Sequence, residues 1–229
     1  MPKTFADFQQ GVAERIQDSA GKLAAAAIDG CIREALSGRY SQARPLKQVA
    51  DLTGDGATYS WPINFMNFPG WVPNFSVITD VEFPAGQRDP EILDPEEWQI
   101  YWPSSAAPEL RLLALAPAAG EIVRVSYTVP HSEDGADVPD VDFYGAVNLA
   151  ASLAAWRLHA LYNQLGDTAL GADAVDYRTK AAEYRLLAAD LERAFQTAFG
   201  LDKDEPQPAA GSSAEWRMDA EAGGRRLMH

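Results

Sequence analysis

Cysteine is almost absent from this sequence. A single residue, Cys31, among 229 leaves no internal disulfide to form, so the fold does not depend on an oxidising compartment and an intracellular setting is expected. Basic residues are also scarce. Lys and Arg number 19 against 33 Asp and Glu, a formal net charge of -14. Affinity for phosphates comes largely from positive charge, so this balance excludes a basic surface that coats nucleic acid. No apolar run approaches the roughly 18 residues that a membrane-spanning helix needs, and the opening MPKTFADFQQGVAERIQD is too evenly charged for a signal peptide.

Residues that carry chemistry are few. Histidine occurs only at His131, His159 and His229, none spaced with a second ligand as a zinc cluster requires. His131 precedes Glu133 and Asp134, an incidental cation site. Gly54 and Gly56 in DLTGDGATY lack the lysine and following helix of a phosphate-cradling loop, and no G-x-S-x-G nucleophile elbow occurs. Acidic pairs such as Glu96-Glu97 and Glu133-Asp134 are abundant, but a glycosidase needs two carboxylates across a cleft, which abundance does not supply. The expectation is a protein without catalytic residues, cofactor or metal.

What is present is a folding composition. Hydrophobic residues make up 47% and charged residues 23%, which excludes a disordered or fibrous body. The length suits one large or two small domains with a core independent of disulfides or metals. Charge is uneven along the chain. Residues 1 to 46 hold 6 basic and 5 acidic groups, whereas 47 to 139 hold 4 and 14. The middle therefore carries most of the negative charge, and it reads as a solvated surface or as a docking face for a basic partner.

Local patterns divide the chain into 1-46, 47-136, 137-200 and 201-229. In the first segment Phe5, Phe8, Val12 and Ile16 recur at spacings of three and four and share a helical face. After Gly21 a second helix sets Leu23, Ala27, Cys31 and Ala35 along one side, ending near Gly38 and Pro45. Cys31 within that stripe reads as core in preference to nucleophile. The second segment has too many prolines for long helices. Short β-type runs lie at 76-83, 98-102, 110-114 and 122-129, and in the last Val123, Val125, Tyr127 and Val129 alternate with more polar neighbours. These predict one small antiparallel sheet. Trp61, Phe65, Phe68, Trp71, Trp98 and Trp102 cluster here as core, subunit contact or ligand-binding surface.

The third segment returns to helix, over 140-165 with a stop at Gly166 and again over 173-199. Val147, Ala151, Ala154 and Leu158 line the first, and Tyr177, Ala181, Tyr184, Leu191 and Phe195 the second. The two helical pairs predict an α+β fold: a four-helix bundle with an inserted antiparallel β module. From Leu201 the pattern stops. Pro206, Pro208, Gly211, Gly223 and Gly224 argue for an extended arm, on which Trp216, Arg217, Met218, Arg225, Arg226 and Leu227 are candidate anchors.

The ordering of ALSGRYSQARP, a β segment, DVPDVDFYGAVNLAASLAAWRLHALYNQ and ADAVDYRTKAAEYRLLAADLERAFQTAFG resembles the head-to-tail adaptor (connector) proteins of tailed bacteriophages. The likeness covers residues 4 to 46 and 137 to 200. It implies a structural virion protein that forms a homo-oligomeric ring, matched to a twelve-fold portal, in the virion neck after assembly in the host cytoplasm. Tyr40 and Pro45 then match the end of the second helix, Asp173 to Leu191 the last helix, and 201-229 an arm that reaches onto the portal protein. Many small adaptors are almost entirely helical, so the β module is a departure that offers extra contacts within the ring or to a neighbouring neck or tail-completion protein. If the acidic middle lines the channel, like charge keeps passing DNA from sticking without sequence-specific binding. The alternatives are another neck or tail-completion ring protein, or a carbohydrate- or receptor-binding module built on Trp61, Trp71, Trp98 and Trp102.

Overall fold

The computed structural model describes residues 3-103, 107-114, 116-168 and 172-201, with the side chains of 166-168 and 172-175 outside that description. The chain divides into two compact units, one taking the chain up to Ala35 and again from Asp134, the other Leu36–Glu133. The fold is α+β, with two helical pairs and two small antiparallel sheets.

The helical unit contains α1 (Phe5–Ile16), α2 (Ala25–Ala35), α4 (Phe143–Thr168) and α5 (Ala172–Ala198). Helix α1 begins on a capping box in which Thr4 Oγ1 accepts from the Asp7 N–H while the Asp7 carboxylate accepts from the Thr4 N–H, satisfying donors that a helix start leaves open. It ends at Gln17, whose left-handed φ of 46° turns the chain. Phe8, Val12 and Ile16 are buried, and so are Cys31, Ile32 and Ala35 of α2.

Helix α4 is central, packing against α1, α2 and α5. Ala146, Ala150, Ala151, Ala154 and Ala155 are all buried, and such small side chains let helices approach from several sides. A Cβ on Gly145 would lie 2.5 Å from the Phe199 ring, and one on Gly11 would lie 3.0 Å from Val147. Ser152 Oγ donates to the Ala188 carbonyl at 2.9 Å. On α5 the buried residues Ala181, Ala188 and Phe195 recur every seven positions, flanked by half-buried Tyr177, Tyr184 and Leu191, as in a coiled-coil seam. Helix α4 starts at Phe143, later than the pattern suggests, because Val138 and Asp142 close turns onto Gly135 and Pro139. Gly166 does not stop it: the helix runs to Thr168.

The second unit opens with a π turn, Leu36–Tyr40, kinked at Gly38, and a single turn α3 (Ser41–Ala43). Two three-stranded sheets follow where the pattern predicts one. The first has the order β1-β6-β3, from Leu46–Thr53, Ile122–Val129 and Ile78–Glu82, and the second has β2-β5-β4, from Ser60–Pro62, Glu109–Leu112 and Trp98–Tyr101. Both contribute to one core, in which Trp61, Phe68, Val81, Leu110, Val125 and Tyr127 are buried. Strand β6 is central and buries Val123, Val125, Tyr127 and Val129. Strands β1 and β2 are the ones that the sequence pattern misses.

Turns of the β unit are held by side chains. The Asp55 carboxylate accepts from the Ala57 N–H (2.8 Å) and from the Thr58 hydroxyl (2.6 Å) and N–H, which pulls its pKa down to about 2. Its stabilisation is present above the ordinary carboxyl value of 3.8 and is lost as pH falls through about 2, the usual sign for a depressed acid. An NMR titration should find Asp55 still ionised at pH 3, with the Thr58 amide resonance shifting only below that. In Asp55→Ala the same amide should exchange fast at neutral pH.

Candidate functional site

The six tryptophan and phenylalanine candidates separate into two sets. Trp61 and Phe68 are buried, at 8% and 0% exposure, while Trp71 and Trp98 are partly buried and packed against the same core. Phe68 meets Tyr127 edge-on at 5.4 Å between ring centres and Trp71 at 5.9 Å, favourable geometry for aromatic quadrupoles. Tyr127 is fixed in turn by a hydroxyl bond to the Pro69 carbonyl at 2.9 Å. Trp61, Phe68, Trp71 and Trp98, together with Tyr127, close the core between the sheets.

Phe65 and Trp102 lie outside, at 80% and 63% exposure, and Met66 joins them at 88%. The register explains their shared position. Pro62 pairs with Glu109 and Glu109 with Tyr101, so the end of β2, the start of β5 and the end of β4 form one end of the second sheet. The chain leaving β2 carries Phe65 and Met66, and the residue leaving β4 is Trp102. Asn64 Oδ1 accepts from the Met66 and Asn67 N–H groups, both at 3.0 Å, and the Asn67 amide donates to the Pro62 carbonyl. This Asx turn holds Phe65 and Met66 at a fixed tip. Alternation along β4 would turn Trp102 toward the core, but pairing ends at Tyr101.

Three large apolar side chains exposed at one sheet end are the kind of surface that marks a contact site. Beside them, the Arg111 guanidinium lies 3.5 Å over the Tyr101 ring and reaches Glu109 Oε2 at 3.0 Å, a rigid polar border. Met66 was not among the sequence candidates. The only signal for it is its position next to Phe65 in a turn-forming stretch, which does not distinguish exposed from buried.

Reactive groups are engaged elsewhere. Cys31 is fully buried and burial pushes its thiol up to about 11, so it is a thiol at neutral pH and packs as a small hydrophobe. The His131 ring is buried against Tyr40, at 4.8 Å between centres, and its Nε2 lies 2.8 Å from the Arg44 carbonyl. His159 joins α4 to α5 through Nδ1 at 2.8 Å from the Ala181 carbonyl. Among the described residues no group of three or more His, Cys, Asp or Glu is placed to hold a metal ion. No described helix is long and apolar enough to cross a membrane.

The helical unit also has an open cavity of about 480 Å³ beside the α1–α2 connection, lined in part by Arg15, Tyr162, Lys180 and Tyr184. Tyr162 and Tyr184 stack at 5.5 Å and 12°. Burial raises both phenol pKa values, so the rings are neutral and pack as part of the wall. The arm candidates Trp216, Arg217, Met218, Arg225, Arg226 and Leu227 lie outside the described residues, as does His229. Scanned against protein-family models and against curated protein sequences, the chain matches none of them.

Proposed function

We propose that the chain is a structural adaptor of the head-to-tail type: a ring protein that sits under the portal of a tailed phage, continues its DNA channel and offers a docking surface to the next neck or tail protein. The observation that carries this reading is the way the helical unit is assembled. Helices α1 and α2 return to α4 and α5 across a separate β unit, Leu36–Glu133, in the order on which the resemblance to connector proteins rests. In this reading the helical unit is the common scaffold, and the β unit supplies the contact that fits one subunit to the next.

Phe65, Met66 and Trp102 suit that contact, because exposed apolar anchors at a rigid tip gain most from being covered and lose little entropy on binding. A different surface on the neighbour would receive them, and a head-to-tail contact of this kind closes into a ring when its rotation closes. Asp89, Glu91, Asp94 and Glu96 are exposed between β3 and β4. In a channel wall their charge would keep DNA from adhering. A glycan-binding reading has less support, since three of its four tryptophans help to close the core and only Trp102 offers a largely free ring face.

Light scattering coupled to size separation tests the proposal, on the chain alone and after mixing with its cognate portal ring. The expected result is a complex with one adaptor per portal subunit. Separate elution of portal and adaptor at every mixing ratio would overturn it.

A further inference from the structure

The two edges of the first sheet are treated differently. Beyond β3 the chain folds back, with Leu93 N–H donating to Val81 O at 2.8 Å, Phe83 N–H donating to Glu91 O at 2.9 Å, and Ile92 bridging Glu82. The second half of that edge is covered. Strand β1 is the other edge, eight residues long, without proline or bulge.

The hydrogen-bond phase says which groups of β1 face outward. Gly54 N–H donates to Glu121 O at 2.8 Å, one step beyond the last pair Thr53↔Ile122. Antiparallel ladders bond at alternate positions, so even-numbered residues of β1 turn their main-chain groups to β6. Lys47, Val49, Asp51 and Thr53 turn theirs to the open edge, and among the described residues none of those N–H or C=O groups has a backbone partner. Natural sheets seldom leave such an edge uncovered, because it templates pairing with another strand.

We propose that β1 pairs antiparallel with β1 of a second copy of this chain, about a two-fold axis at Val49. The sequence is self-complementary in that register. Val49 faces Val49, Lys47 faces Asp51 of the second copy, Asp51 faces Lys47, and on the core-side face Leu46 meets Leu52. Of the outward-facing residues, Lys47, Val49 and Asp51 are the ones that become hydrogen-bonded pairs in this arrangement. Val49, 57% exposed, is covered by its own symmetry mate. Asp51 is bonded by Arg124 of β6 through contacts of 2.8 and 3.0 Å, and its side chain stays 44% exposed, open to Lys47 of the second copy. Two three-stranded sheets become one of six strands.

A two-fold contact is closed and cannot propagate around a ring. The pair is therefore the form of the free chain, and it uses a different sheet from Phe65, Met66 and Trp102. Its failure would leave the adaptor reading untouched, and the reverse also holds.

The full chain, measured by sedimentation over a range of concentrations, should reach twice 24.9 kDa and dissociate on dilution. Amide exchange should be slow for Val49 and Asp51 in concentrated samples and fast in dilute ones, while Ala50 and Leu52, bonded to β6, stay slow in both. Lys47→Glu and Asp51→Lys each set like charges opposite one another twice across the axis, and each should weaken pairing about tenfold or more. Equal amounts of the two variants should pair with each other, because both contacts then join opposite charges. If Asp51→Lys unfolds the chain by placing a lysine beside Arg124, Lys47→Glu and the exchange data decide alone. A single-chain mass at every concentration overturns the proposal, as does a pair indifferent to Lys47→Glu whose Val49 amide exchanges freely.

Discussion

Phe68→Ala is expected to cost about 3–5 kcal/mol of stability, the range for deleting a fully buried aromatic side chain. Phe68 has no exposed surface and meets both Trp71 and Tyr127 edge-on, so alanine would leave a cavity between rings that have no room to collapse. The melting temperature should fall by roughly 10 °C, using the usual relation between stability and midpoint for a chain of this size. Phe65→Ala, three positions earlier, removes the same side chain from an 80% exposed site and should change stability by no more than about 0.5 kcal/mol. Calorimetry of the two variants checks the partition of the aromatic residues into core and surface. Equal destabilisation would contradict it.

The second large effect concerns assembly. Central apolar anchors of an interface typically cost 2 kcal/mol or more when truncated, about 30-fold in affinity each. Phe65→Ser with Trp102→Ala should therefore weaken formation of the adaptor ring on a portal by about a thousandfold if the two effects add, with melting behaviour unchanged. Trp61→Ala and Trp98→Ala should instead lower stability first. Measuring complex formation by light scattering beside thermal denaturation separates the two classes. Normal ring formation by the Phe65 and Trp102 double variant would remove this end of the second sheet from the contact.

Much of the architecture was legible where one physical pattern dominates. The helical pairs announce themselves because Phe8, Val12 and Ile16, or Ala181, Ala188 and Phe195, repeat with the helix. Strand β6 is equally plain, since a central strand buries every second residue and fills those places with Val123, Val125, Tyr127 and Val129. Strand β1 is not. Lys47, Gln48, Asp51 and Thr53 make it polar, and as an edge it needs only one face and one neighbour. Its presence is settled by pairing with β6, 69 or more residues away along the chain.

The candidate site was partly legible. Composition picks out Trp61, Phe65, Phe68, Trp71, Trp98 and Trp102 as a set, but nothing local says which are exposed. That depends on the Asn64 turn, which holds the tip carrying Phe65 and Met66 while Phe68 packs inside, and on the point at which β4 stops pairing, which frees Trp102. Both are products of the assembled unit. The self-complementary edge centred on Val49 was out of reach for the same reason, since it has meaning only once β1 is a strand whose hydrogen-bond phase is known.

Direct imaging of the chain mixed with its cognate portal ring tests the adaptor account most directly. Class averages should gain a ring of density on one end of the portal, with the portal's rotational symmetry, continuing its channel. Portal particles identical with and without the chain, at concentrations well above those of assembly, would contradict the account.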